Sequence, residues 1–144
     1  MKQRYKITTA VYLLLIKENK ILLSLREGTG YMDGMYSLPA GHLEANESIA
    51  DACVREIKEE INIDVKKEDL KLVTTMFRKG ENGGDDYSDF FFMCENYKGE
   101  LKNNEPNKCG EIKFFEIDNL PQNIIKYIKI AINNSNNNIS YCEL

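Results

Sequence analysis

LPAGHLEANESIADACVREIKEEINI, residues 38–63, is the stretch that decides how this chain reads. Its second half has the pattern of one helix, roughly Ser48 to Glu60, with carboxylates crowded at the C-terminal end. At about 100° per residue, Glu56, Glu59 and Glu60 fall in one sector of that helix. Ile49, Ala52 and Cys53 share the sector, so the acids continue the stripe that should face the protein interior. Carboxylates are costly there unless paired or coordinated, and three that converge repel one another. A hard divalent cation resolves the conflict, because Mg²⁺ or Mn²⁺ takes oxygen ligands and neutralises the cluster. The competing reading is an ordinary acidic helix end turned to water.

The spacing around the helix decides between them. Gly41, five residues, Glu47, seven residues, then Arg55-Glu56-Ile57-Lys58-Glu59-Glu60-Ile61-Asn62-Ile63 resembles the Nudix box. That pattern is Gly, five residues, Glu, seven residues, Arg-Glu-apolar-any-Glu-Glu-any-Gly-apolar, and many fixed positions at fixed spacing make it a specific signal. One specified position departs: Asn62 stands where the pattern has glycine. Asparagine is the usual substitute where a chain leaves a helix in the left-handed conformation. Ala40 stands where many members have a glycine just before the box.

The resemblance implies a metal-dependent hydrolase that cleaves a diphosphate linkage in a nucleoside diphosphate derivative by attack of water on phosphorus. It implies Glu59 and Glu60 as metal ligands, Glu56 as a further ligand or the general base, and the backbone carbonyl of Ala40 as an additional ligand. Mg²⁺ is the expected cofactor, with Mn²⁺ as a substitute. The small chain favours a small substrate, most simply a nucleoside triphosphate, ordinary or modified, cleaved to monophosphate and pyrophosphate. A hydrolase of ADP-ribose or nucleotide sugars and a nucleotide sensor without catalysis are the alternatives. The complete acid set argues against the sensor. Arg55 projects away from the acid sector and can pair with Glu59 one turn on or with Glu47 across the loop, so Arg55 and Glu47 are expected to fix the loop–helix geometry.

Outward from the box, Ile7–Ile16 and Ile21–Arg26 read as two strands of a hairpin around Asn19. Arg26, at the end of the second, is a candidate phosphate ligand or a plain surface arginine. The glycine-rich segment 27–35 reads as a loop, and in the family this region borders the substrate. Tyr31, Met32 and Tyr36 are therefore candidate contacts or simple packing residues. His42, the only histidine, is read as structural in the absence of a nucleophile or partner.

Beyond the box, Ile61–Val65 and Leu70–Arg78 read as extended segments, and Asp89–Cys94 as a buried central strand. Glu111–Ile117 reads as another strand. Asp118-Asn119-Leu120-Pro121 then opens a helix whose apolar positions Ile124, Ile125, Ile128 and Ala131 recur at helical spacing. Some family members recruit one more acid from beyond the box; Glu105 and Glu111 are candidates, with Glu111 preferred. Asp118 and Asn119 lie where some purine-triphosphate members approach the base.

The order of elements favours an α+β fold, a mixed β-sheet flanked by helices, which agrees with the α/β/α sandwich that the resemblance implies. At 144 residues and 42% hydrophobic content, a single domain over residues 1–144 is expected, with 134–144 a loose tail. A net charge of −4 offers no broad basic surface, so stable nucleic-acid binding is not expected. Cys53, Cys94, Cys109 and Cys142 show no metal-ligand spacing. No signal segment or membrane-length apolar run is apparent, which reads as a cytoplasmic monomer or homodimer with no membrane partner.

Overall fold

The structure is a computed structural model that describes residues 1–144. Its framework is set by strand β1 (Thr8–Lys17), whose side chains alternate between two helical layers. Val11, Leu13 and Leu15 pack with Ala52, Cys53, Ile57 and Ile61 of helix α1 (Ile49–Ile61). Ala10, Tyr12 and Leu14 pack on the other side with Ile128, Ala131 and Ile132 of helix α2 (Lys126–Asn136). A strand covered on both faces must be apolar at consecutive positions, which is why residues 10–15 show no polar alternation.

Strand β2 (Lys20–Arg26) returns from β1 through Glu18 and Asn19, both with positive φ (51° and 61°). That pair of left-handed residues suits a two-residue hairpin. The remaining strands are β3 (Tyr36–Ser37), β4 (Ala40–His42), β5 (Lys71–Arg78), β6 (Tyr87–Cys94), β7 (Cys109–Glu116) and β8 (Tyr141–Glu143). Along one edge β1 runs parallel to β6, and β5 and β8 follow outward. Its other edge is divided: Ala10–Tyr12 pair with β4, while Ile16–Lys17 pair with β2. β2 in turn carries β3 and β7. The result is the expected mixed sheet between two helices. No helix is long and apolar enough to cross a membrane.

Helix α1 starts on Ser48, whose hydroxyl accepts from Asp51 N–H while the Asp51 carboxylate accepts from Ser48 N–H. This reciprocal cap stabilises the helix start. It ends at Asn62, in the left-handed conformation (φ 66°), and the Asn62 side chain donates to Glu100 O at 3.0 Å. Asparagine thus fills the glycine position of the box without loss of the turn.

Three expectations need correction. Residues 61–65 are not a strand: Ile61 closes α1, and Asp64 makes only an isolated bridge with Lys98. The second helix begins at Lys126, not at Asp118, because Tyr36 N–H donates to Asn123 O and Ile125 N–H to Tyr36 O. Those bonds hold Ile124 and Ile125 extended beside β3. Finally, 134–144 is not a loose tail. Helix α2 runs on to Asn136, Asn134 is buried, and β8 pairs in parallel with Thr75–Phe77. The segment caps the free edge of β5.

Candidate active site

Strand β4 and helix α1 build the site between them. In β4, Gly41 stands opposite Val11 and so faces the α1 layer, whereas Ala40 and His42 flank it on the other side. The Glu56 side chain fills the space over the Gly41 α-carbon, where any Cβ would overlap its stem. Glycine at this position is therefore a matter of close approach, not of backbone torsion.

Glu60 lies beside it. Part of the residue reaches solvent, but its carboxylate is enclosed by protein and accepts one hydrogen bond, from Ala40 N–H at 3.0 Å. Burial pushes its pKa up to about 8, the Ala40 N–H opposes that, and the nearby Glu105 and Glu56 charges add to it. The Glu56 pKa is raised as well, by burial first, against the guanidinium of Arg55. Buried acids held this far from their ordinary range mark a site for a cation or a proton. Glu59 differs: its side chain is 54% exposed, against 17% for Glu56.

Arg55 ties the constellation together. Its Nε and Nη2 donate to the two oxygens of Glu47 at 2.9 and 2.8 Å, and Nη2 also donates to His42 O at 3.0 Å. Nη1 reaches Glu56 Oε1 at 2.8 Å and Glu59 Oε2 at 3.4 Å. The forked pair with Glu47 is the expected loop–helix clamp, and it holds the Glu47 pKa below its usual range. Arg55 does not, however, project away from the acids: one edge of its guanidinium lies on two of them.

The remaining candidates divide. Arg26 contributes positive charge to the environment of Glu60, and two of its N–H groups bind its own loop, Nε to Tyr31 O (2.7 Å) and Nη2 to Thr29 Oγ1 (3.1 Å). Glu111 is engaged by the Tyr36 hydroxyl, and this bond pushes the tyrosine pKa up to about 12. Glu105, not the preferred Glu111, is the acid whose charge bears on both Glu56 and Glu60. Asp118 and Asn119 are exposed in the turn after β7, where Asn119 N–H donates to Glu116 O. His42 is exposed and lends the site its carbonyl, with its ring 5.9 Å from that of Tyr87.

One feature was not singled out from the sequence. Asp89 is fully buried on β6 beneath Arg78, whose guanidinium binds both carboxylate oxygens. Arg78 lies 4.5 Å from the ring centre of Tyr87 and 3.9 Å from that of Tyr127. The signal was an acid opening an otherwise apolar strand, at a position that sheet alternation turns inward.

The donor set suits a hard divalent ion: carboxylates and backbone carbonyls, with Glu60 enclosed and lacking a cationic side-chain partner. In the arrangement seen, no three acidic, histidine or cysteine side chains converge on one point that could grip an ion. The fit is one of donor chemistry, with Arg55 Nη1 shared by Glu56 and Glu59.

Comparison with known proteins identifies the family. The model of the NUDIX domain matches residues 6–132. An ADP-ribose pyrophosphatase of Methanocaldococcus jannaschii is 34% identical over 114 residues, which cover 79% of this chain and 64% of that protein. The chain thus spans less than two thirds of that relative. An 8-oxo-dGTP diphosphatase of Proteus vulgaris is 35% identical over 70% of this chain and 87% of its own length. In fold, the chain is similar to a MutT NUDIX hydrolase of Burkholderia pseudomallei, with a TM-score of 0.83 at 22% identity over 90% of this chain and 98% of that one. With glycine, arginine and acids at the spacing of the box, and with this mixed sheet between two helices, the chain belongs to the Nudix hydrolase family.

Proposed function

We propose that this protein hydrolyses a diphosphate linkage in a nucleoside diphosphate derivative with the help of Mg²⁺, or Mn²⁺ in its place. The observation that carries the reading is the enclosed carboxylate of Glu60, flanked by Glu56 and within the field of Glu105, with only one N–H to satisfy it. Such a cluster is unfavourable alone and becomes favourable with a divalent ion and a polyphosphate, whose charges complement each other. Glu60, Glu59 and Glu56 would hold the ion, with the Ala40 carbonyl and Glu105 as further oxygen donors. When bound, the ion supplies neutralisation of phosphate oxygens and a more acidic water.

The chain's own groups do the rest. Glu56, half-buried and raised in pKa by burial, is proposed either as a further metal ligand or as the base that takes a proton from the attacking water. The Glu47–Arg55 clamp holds the loop before α1 against the helix, so that Glu56 keeps its place over Gly41. Arg26 organises the loop of residues 27–34 through Nε and Nη2, and its other N–H groups suit a substrate phosphate.

A nucleoside triphosphate cleaved to monophosphate and pyrophosphate is the first substrate reading, in line with the relative that is an 8-oxo-dGTP diphosphatase. ADP-ribose is the second, favoured by the archaeal relative. The test is turnover of triphosphates, oxidised triphosphates, ADP-ribose and nucleotide sugars with Mg²⁺, wild type beside Glu60→Gln, with pyrophosphate and phosphate release distinguished. Metal-dependent cleavage lost in the variant supports the proposal and names the class. Tight nucleotide binding without turnover overturns it in favour of a sensor.

A further inference from the structure

Arg55 makes two sets of contacts with different chemistry. One edge, Nε and Nη2, is locked onto Glu47 and the His42 carbonyl by three bonds of 2.8 to 3.0 Å. The other, Nη1, lies on Glu56 at 2.8 Å and Glu59 at 3.4 Å, two of the acids of the proposed metal site. Glu56 has little room to move elsewhere, since its stem packs on the bare α-carbon of Gly41. The guanidinium therefore carries the neutralising charge for two carboxylates that a divalent ion would also need, and no three such side chains converge on one point in this arrangement.

We infer that Arg55 is a resident counter-cation that competes with the metal: loading releases Nη1 from Glu56 and Glu59, while the Glu47 edge stays in place. This rests on the metal-dependent reading of the site. The physical logic is an exchange of one cation for another on the same carboxylates. Without metal, Arg55 offsets the repulsion between Glu56 and Glu59. With metal, the planar fork pivots on its pair with Glu47, a geometry that a point charge such as lysine does not reproduce. Glu47 acts as a holder that draws the guanidinium away from the acids. Both residues are positioning residues for metal uptake.

The two partners should then shift affinity in opposite directions, which a merely structural clamp would not do. Arg55→Gln removes the competitor, and Mn²⁺ alone, titrated by calorimetry, should bind about ten-fold tighter. Glu47→Gln weakens the holder, lets Arg55 settle on Glu56 and Glu59, and should bind Mn²⁺ about ten-fold more weakly. Weaker or unchanged binding in both variants overturns the inference while leaving the metal site standing. No binding of Mn²⁺ to the wild type removes the metal reading itself. Should Arg55→Gln fail to fold, the wild type gives the answer through its ¹⁵N guanidinium resonances during Mg²⁺ titration. A shift of the Arg55 Nη1 signal with Nε unmoved supports the exchange, and a guanidinium unmoved throughout overturns it.

Discussion

The Glu56 side chain rests directly on the α-carbon of Gly41, so that strand β4 and helix α1 meet with no side chain between them. Gly41→Ala should force Glu56 off that surface and away from Arg55. A loss of about 1–3 kcal/mol in stability is expected from the overlap, with a fall of about 10² in kcat/KM from the misplaced acid. Parallel unfolding and steady-state measurements check it; unchanged values in both would mean that the contact is dispensable.

Glu60 predicts a pH dependence of the metal-free protein. Its folded-state pKa is raised from 4.5 to about 8, so between those values the folded chain holds a proton that the unfolded chain has released. Stability should therefore fall as pH rises through that window, by at most about 1.4 kcal/mol per unit, and level off above it. The raised Glu56 works in the same direction. Glu60→Gln should flatten the slope and leave the protein more stable than wild type near pH 8 in the presence of a chelator. Denaturant unfolding across the window measures this, and an unaltered slope in the variant would assign it to another group.

Replacement of Arg78 by methionine should be severe although Arg78 lies outside the box. It strands the buried Asp89 carboxylate without its partner, at a cost of about 3–5 kcal/mol. Adding Asp89→Leu should recover most of that loss, because removal of both charges leaves nothing uncompensated. Chemical denaturation of the single and double variants tests the pair, and a double variant as unstable as the single one contradicts it.

The C-terminal strand offers a fourth test. Deleting residues 139–144 removes the partners of Thr74 Oγ1, Thr75 N–H and Oγ1, and Lys79 N–H. At roughly 0.5–1.5 kcal/mol for each bond, the loss should reach about 2–6 kcal/mol. The bared edge of β5 should also promote association between chains. Thermal melts and sedimentation of the shortened protein check both effects; an unchanged melting temperature would make β8 an ornament.

What the sequence disclosed was whatever is local or set by fixed spacing. Helix α1 was legible because Ser48, its apolar stripe and Asn62 are all within one stretch, and the Glu47–Arg55 pair follows from the spacing of the box. The start of α2 was not, because Ile124 and Ile125 have helical spacing but are held extended by Tyr36, some ninety residues earlier. Glu105 and Glu111 look alike in the chain. Only the register of β7 against β2, with Ile112 opposite Ser24 and the next strand β3 beyond it, brings Glu111 to Tyr36. Asp89 and Arg78 are adjacent only because β5 and β6 pair.

Strand β4 is three residues long and sits with alternate sides turned to opposite layers of the molecule. A slip of one residue along β1 would exchange Gly41 for Ala40 or His42 beneath Glu56, where neither side chain fits. The Glu56 side chain thus also reports on the alignment of the sheet. A strand paired out of register would displace Glu56 from its seat over β4 and from the Arg55 guanidinium.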